Sequence, residues 1–424
     1  MENKTNKPVA IILGGTFPHI ELINNLKKRC YYTILIDYLD NPTAKEYADE
    51  HIIESTLNKD LVLQIAKKRN TELIISSCVD QANVTACYVA EKLNLPHPYS
   101  YKIARIISNK VSMKKHMVEG GIPTSNYVEV DNLTMLYNIN LKYPLIVKPS
   151  DSNSSKGVRK ADNSIELNEY AKHAFAISRN KKIIIEEYLD GKEIGVDCYI
   201  KNGDAKIIMT RERIKILDDN ISTQQIYGSF WPAELTDDNL KSIKEIANKI
   251  ASIFGLDNTP LMIQAILKDD CISVIEFAPR IGGGENYRII RELTNFDIID
   301  ASINSFLLIP QNIDFSIPNY IYFDNYIYTK PAVFNTIVGV NELINNKLIE
   351  YVNVYKKKDT LVGSEMSSNN RVGVFTLKST DRKDIINKLN KSIKTVDVLD
   401  INGNSIMIKN IYKSFFDEYN YNPD

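Results

Sequence analysis

The chain has 424 residues, 44% hydrophobic and 25% charged, with 52 Lys+Arg against 53 Asp+Glu and a formal net charge of −1. That composition is ordinary for soluble globular protein, and the length suits about two to four domains with several buried cores. Near neutrality excludes binding of nucleic acid or anionic membrane by bulk charge.

The five cysteines (Cys30, Cys78, Cys87, Cys198, Cys271) are scattered and form no Cys-x-x-Cys pair. This argues against a disulfide framework or zinc site and for a reducing compartment. The polar start carries no signal peptide, and no apolar run nears the roughly 20 residues of a membrane span. The expectation is a cytoplasmic protein.

In chain order, Val9–Leu13 is a continuous apolar run that predicts a strand buried on both faces. A helix is expected over Pro18–Arg29, a strand over Thr33–Asp37, a helix over Asp60–Lys68 and a strand over Glu72–Ser76. Ala82, Ala86, Val89, Ala90 and Leu93 line one face of a further helix. This alternation predicts a parallel α/β unit ending near Ser108. Asn109–Glu119 reads as a helix stopped by Gly120-Gly121. Strands are expected at Tyr143–Lys148, Lys182–Leu189, Glu193–Ile200 and Lys206–Arg213, and an amphipathic helix at Leu240–Phe254. Leu261–Leu267 and Cys271–Phe277 predict a hairpin turning about Lys268-Asp269-Asp270. Beyond about residue 310 the texture suggests a small α+β tail. The expected units are 1–108, 109–308 (with a lid at about 120–190) and 309–424.

Three elements carry chemistry. Lys110 opens a helix, Lys148 ends a strand, and Ser152-Asn-Ser154-Ser155-Lys156-Gly157 follows directly. A nucleotide triphosphate needs cations at its phosphates and a loop of small residues whose N–H groups wrap the terminal one. In Glu186-Glu187-Tyr188-Leu189, adjacent backbone groups of an extended hinge provide the acceptor and donor that adenine needs, and Glu193 beyond the turn could take a ribose. Gln264 and Glu276 are 12 residues apart. A three-residue hairpin loop would set them directly across from each other, whereas a two-residue loop would shift the pairing by one onto opposite faces. Paired oxygen ligands on one face suit Mg²⁺. Arg280 beyond them could clamp a carboxylate or phosphoryl group, and Gly282-Gly283-Gly284 would admit a ligand close to the backbone.

The order of these residues resembles the ATP-grasp superfamily, in particular its carboxylate–amine (L-amino-acid) ligase branch, related to biotin carboxylase and carbamoyl-phosphate synthetase. Ser77-Cys78-Val79-Asp80 and Ala90–Pro96 resemble its N-terminal domain, and Asn370–Val374 its C-terminal domain. The resemblance implies an α/β and α+β molecule with an ATP-grasp fold between an N-terminal parallel α/β domain and a small C-terminal α+β domain. It implies an enzyme that uses ATP and Mg²⁺ (or Mn²⁺) to turn a small carboxylate into an acyl phosphate and join it to an amine, often as a homodimer. By the same resemblance Lys110 and Lys148 bind phosphates, with Lys148 and Arg280 catalytic. Residues 152–157 cover the γ-phosphate, Glu187 and Leu189 read adenine, Glu193 holds ribose, and Gln264 and Glu276 hold the metal. Arg211, Arg213, Gly283, Gly284 and Arg288 would face the other substrates.

Two departures stand out: Ala278 lacks the ligand atom often found two residues after the metal glutamate, and Gln264 replaces a frequent carboxylate. Ala278 leaves open a nucleotide-binding scaffold or sensor without ligase activity. A carboxylase working through carboxyphosphate is a further alternative. A dinucleotide-dependent oxidoreductase, suggested by Gly14-Gly15 and Asp37, lacks the third glycine of that motif. The five histidines show no metal spacing, Cys78 reads as a buried small residue, and Phe230-Trp231 reads as a packed loop.

Overall fold

The computed structural model describes residues 7–152, 156–216, 224–364 and 367–412. The N-terminal unit is a parallel sheet in the order β3-β2-β1-β4, made of β1 (Val9–Leu13), β2 (Tyr32–Asp37), β3 (Glu50–Ile53) and β4 (Thr71–Ile75). Helices α1 (Phe17–Lys28), α2 (Lys59–Lys68) and α3 (Asp80–Leu93) connect the strands or follow them. Two elements here escaped the sequence reading. β3 has only four residues and no fully buried one, so it carries no apolar run. The other is α4 (Tyr101–Ser108), whose side-chain cap comes from Ser100.

Helix α5 (Lys110–Glu119), capped by the Asn109 side chain, leads into the lid. The lid sheet runs β5-β8-β6-β7, from β5 (Tyr127–Val130), β6 (Leu145–Pro149), β7 (Arg159–Ala161) and β8 (Ile183–Glu187), with α6 (Ser164–Ile177) against it. Period-two alternation decides which residues meet the body. Leu145, Val147, Ile183 and Ile185 fill the lid's own core. Ile146, Lys148, Ile184 and Glu186, on the alternate positions of β6 and β8, share the other face.

The body is one eight-stranded sheet in the order β13-β12-β9-β10-β11-β14-β18-β16. It contains β9 (Lys192–Lys201), β10 (Asp204–Lys215), β11 (Ile226–Trp231), β12 (Thr259–Lys268), β13 (Cys271–Ala278), β14 (Ile321–Ile327), β16 (Tyr351–Val354) and β18 (Gly373–Ser379). The segment expected as a separate tail thus shares a sheet with the central unit. Only β17 (Thr360–Val362), β15 (Ala332–Val338) and β19 (Asp397–Asp400) form a sheet of their own, near α10 (Val340–Asn345) and α11 (Arg382–Thr395). Phe230 and Trp231, expected in a loop, lie fully buried on β11.

One face of β9, β12 and β13 packs on α4, α5 and α7 (Asp237–Phe254) through Ile194, Val196, Ile263, Val274, Phe277, Met117, Ile250 and Phe254. Helix α7 begins at a capping box between Thr236 and Asn239 and ends at Gly255 in the left-handed region (φ 60°). Its Ile243, Ile246, Ala247, Ile250, Ala251 and Phe254 recur at helical spacing on the buried face. Helices α8 (Asn286–Thr294) and α9 (Ile298–Phe306) share the core of the N-terminal sheet, so residues 286–306 tie that sheet to the body. Among the described residues no helix is long and apolar enough to cross a membrane.

Phe254 is 1% exposed, with its ring centroid 4.9 Å from that of Phe277. Phe254→Ala should destabilise the body by about 3–5 kcal/mol, read as a lower denaturant midpoint.

Candidate active site

The hairpin β12–β13 turns more tightly than the sequence suggested. Lys268 pairs with Cys271, so the loop is only Asp269-Asp270, both residues in the left-handed region at φ 48° and 61°. A two-residue loop alone would set Gln264 opposite Ile275. The register instead runs Ala265↔Val274 and then Gln264↔Glu276, so Ile275 is an extra residue in a β-bulge. Burial follows the shift. Ile272, Val274 and Phe277 face the core, an alternation broken by one residue, and Glu276 leaves the core face to stand beside Gln264. The chain entering the lid docks at this point, with Val274 N–H donating to the Pro123 carbonyl at 2.7 Å and Thr124 Oγ1 donating to the Val274 carbonyl at 2.6 Å.

The cations converge here. Lys110 Nζ lies 3.0 Å from Glu276 Oε2, and Lys148 Nζ lies 3.1 Å from Glu186 Oε1. The Lys110 ammonium, and after it that of Lys148, hold the Glu276 carboxyl at about 2 against the effect of burial. Burial alone would raise the Glu186 carboxyl, but Lys148 and Lys114 outweigh it and hold it at about 2. With the Gln264 amide oriented to satisfy both neighbours, its nitrogen donates to Glu276 Oε1 at 3.1 Å and its oxygen accepts from Arg213 Nη1 at 2.7 Å. Arg213 in turn lies 2.8 Å from Glu193. A continuous polar line thus runs Glu193–Arg213–Gln264–Glu276–Lys110.

Glu276 offers a Mg²⁺ ion a carboxylate, whereas the Gln264 oxygen is engaged by Arg213. Among the described residues no group of three or more His, Cys, Asp or Glu side chains could hold a metal. The donor set therefore fits an ion bound mainly by one carboxylate, phosphate oxygens and water.

At the hinge the Glu187 N–H donates to the Asn126 carbonyl and the Tyr188 N–H to the Pro144 carbonyl, both within the lid. The Leu189 N–H has no partner among the described residues. The Tyr188 ring has Lys160 Nζ 5.2 Å and Lys215 Nζ 5.4 Å from its centroid, linking lid and body. Of the phosphate loop, Asn153, Ser154 and Ser155 lie outside the described residues. Ser152 Oγ donates to the Lys156 carbonyl at 2.9 Å, and Gly157 sits at φ 72° against Pro149 and Ile177, where a Cβ would clash.

The arginines are more committed than the sequence suggested. Arg280, expected to steady an acyl phosphate, sends Nε and Nη2 to Asp80 at 2.7 and 2.9 Å and Nη1 to the Ile281 carbonyl. It clamps the N-terminal unit to the end of β13. Arg211, expected at a substrate carboxylate, is buried, pairs with Asp197 at 2.6 Å and lies 4.9 Å from the Trp231 ring centroid. With the Asn286 amide oriented to satisfy its neighbours, Arg211 also donates to the Asn286 oxygen and the Asn286 nitrogen donates to the Gly283 carbonyl at 3.0 Å, so Arg211 supports the glycine loop. A Cβ at Gly282 would overlap Asn286, whereas one at Gly283 would meet open space. Arg288 pairs with Glu292 at 2.9 Å and lies over the Tyr351 ring. Cys78 is engaged by Thr16, and burial pushes its thiol up, which disfavours a nucleophilic thiolate.

Sequence reasoning missed Lys114, Thr124 and Ser125. Lys114 stands one helical turn after Lys110, and that i, i+4 spacing was the available signal. It also missed Arg371, whose guanidinium lies 3.8 Å from the centroid of Tyr326, the tyrosine whose hydroxyl faces Gly284.

Residues 141–287 match the family model of the ATP-grasp domain. A formate-dependent phosphoribosylglycinamide formyltransferase of Sulfurisphaera tokodaii is 25% identical over 57% of this chain and 62% of that protein. An L-arginine-specific L-amino acid ligase of Bacillus subtilis is 22% identical over 66% of this chain and 68% of that protein. The crystal structure of an L-amino acid ligase from Bacillus licheniformis superposes with a TM-score of 0.76 at 17% identity, covering 93% of this chain and 100% of that one. At that identity the likeness is one of fold. Residues 141–287 thus carry the ATP-grasp domain match, and over 93% of the chain the fold is that of the L-amino acid ligase structure. The match to the first relative spans less than two thirds of that protein's length.

Deleting Ile275 would remove the bulge and restore strict alternation from the turn, leaving Glu276 directly opposite Gln264. The deletion variant and Ile275→Ala should both retain nucleotide-dependent turnover, read as ADP release, and loss of turnover in the deletion variant alone would show that the bulge itself, and not only the facing of Glu276, is required. Because the folded carboxyl of Glu186 is depressed from 4.5 to about 2, its contribution to stability is complete above about pH 4.5 and is lost as pH falls toward 2. Glu186→Gln, less stable at neutral pH, should show a smaller fall in urea midpoint between pH 5 and pH 3 than the unaltered protein.

Proposed function

We propose that the protein is an ATP-dependent ligase that activates a small carboxylate as an acyl phosphate and couples it to an amine. The observation that carries this reading is the convergence of the Lys110 and Lys148 ammonium groups on Glu276. It is supported by the ATP-grasp match over residues 141–287 and by relatives that are themselves named as ligases or formyltransferases.

In this reading the nucleotide lies between the lid and the body sheet. Ile146 and Ile184, on the lid face that carries Lys148, cover the adenine ring, and Ile266, on the Gln264 face of β12, supports it from below. The Glu187 carbonyl and the Leu189 N–H read the base, and Glu193 takes the ribose while retaining Arg213. Lys110 and Lys148 leave their carboxylates for the phosphates. A bound Mg²⁺, held by Glu276, would neutralise charge on the transferring phosphoryl group. The chain's contribution is positioning and electrostatics: the substrate carboxylate is held in line with the γ-phosphate, with Arg213 nearby and Gly283–Gly284 giving it backbone access. Arg280 acts through Asp80 and the end of β13, setting where Glu276 stands. Lid closure excludes water while the acyl phosphate waits for the amine, and phosphate leaves as the C–N bond forms. Arg288, beside Glu292 and the Tyr351 ring, is assigned to the second substrate in this reading. Activity in a reducing compartment, with MgATP or MnATP, follows the same reading.

The test is a screen for ADP and phosphate release over paired small acids and amines, with bicarbonate as a separate arm. Release that needs both an acid and an amine supports the ligase, and release with bicarbonate alone would move the reading to a carboxylase. MgATP binding without turnover over the whole panel would leave a nucleotide-binding scaffold. Lys148→Ala and Glu276→Ala should each lower kcat/KM about 100-fold or more with the fold retained. Full activity in either would remove that residue from the site.

A further inference from the structure

Lys114 takes no part in the reaction described above, yet it is 1% exposed and its ammonium is enclosed on every side. Its Nζ donates to Thr124 Oγ1 and to Ser125 Oγ at 2.8 Å, and lies 3.1 Å from Glu186 Oε2. Three donors meet three acceptors. Glu186 is shared: Lys148 holds Oε1 at 3.1 Å, while Lys114 and the Ser125 hydroxyl hold Oε2. The groups belong to different bodies. Lys114 is on α5, Glu186 and Lys148 are on lid strands, and Thr124 and Ser125 are on the chain between, which docks at Val274 beside the bulge.

A buried carboxylate with a single cationic partner would be stranded when that partner left, and breaking such a pair is costly. Here Lys148 has two claimants, Glu186 and the phosphates. We propose that Lys114 is a positioning residue for Lys148: it keeps Glu186 neutralised, so that Lys148 can turn to the triphosphate without leaving a bare buried carboxylate. This rests on the role assigned to Lys148 in the ligase reading. Burial pushes the Lys114 ammonium below its ordinary value, and Glu186 is the largest influence that opposes this.

The experiment is a titration of MgATP into the full-length protein and its variants, with thermal melting alongside. Lys114→Met keeps the shape and removes the charge, so Glu186 retains Lys148. MgATP affinity should fall about tenfold or more, and adding Glu186→Gln, whose neutral amide no longer retains Lys148, should restore most of it. Lys114→Arg should stay within about threefold of the unaltered protein. A folded Lys114→Met protein that binds MgATP normally would overturn the proposal, as would a weakening that Glu186→Gln does not relieve. Should Lys114→Met not fold, a tenfold loss in folded Lys114→Arg would overturn it equally. An unaltered protein that fails to bind MgATP would sink the ligase reading itself. Normal binding there with an unaffected variant sinks only the role given to Lys114.

Discussion

A crevice that receives the phosphates of a nucleotide must be lined with cations, and such a lining opposes itself whenever the anion is absent. Two like charges 4 Å apart at an effective dielectric near 20 repel by about 4 kcal/mol. In this protein the repulsion is met by two resident carboxylates. Glu276 lies against Lys110 from the body side, and Glu186 lies against Lys148 and Lys114 from the lid side. In the ligase reading proposed above, the same carboxylates compete with the incoming phosphates. Where they stand sets both the stability of the empty crevice and the ease of filling it.

That placement depends on two small backbone devices. On the lid, strict alternation along β6 and β8 puts Lys148 and Glu186 on one face, with Ile146 and Ile184 beside them and the lid core behind. On the body, alternation alone would have buried Glu276 against α7, and one extra residue in β13 changes the parity. The lid's entry chain is anchored to the same stretch of β13 through Pro123 and Thr124. The hinge and the Glu276 carboxylate are therefore held by a single distortion of one edge strand, which is a short path for coupling lid position to the site.

The residues of the candidate site were largely legible in the sequence because they sit at strand ends and helix starts, where small or charged side chains interrupt apolar runs. Lys110, Lys148, Glu276 and the N-terminal strands are of this kind. The pairing of Gln264 with Glu276 was foreseen, but from a three-residue turn. Two left-handed aspartates and a bulge reach the same pairing by another route, and a bulge leaves no mark on composition or periodicity. Arg280 was assigned to catalysis and Arg211 to substrate because an arginine's partner is invisible in one dimension: Asp80 lies 200 residues before Arg280. The union of β14, β18 and β16 with the central sheet was hidden for the same reason, since strand order across a sheet is a long-range property.

The position of α8 and α9 bears on how such a chain can be divided. By sequence they close the central segment, but their apolar side chains, Ile289, Ile290, Ile299 and Ile303 among them, are packed into the N-terminal sheet's core. A fragment beginning at residue 109 would carry half of a hydrophobic interface into water, and a fragment ending there would lack the other half. Recombination between homologous chains would have to exchange the first hundred residues together with residues 286–306, two stretches separated by the lid and most of the central sheet. The fold thus binds a discontinuous pair of segments into one inherited unit.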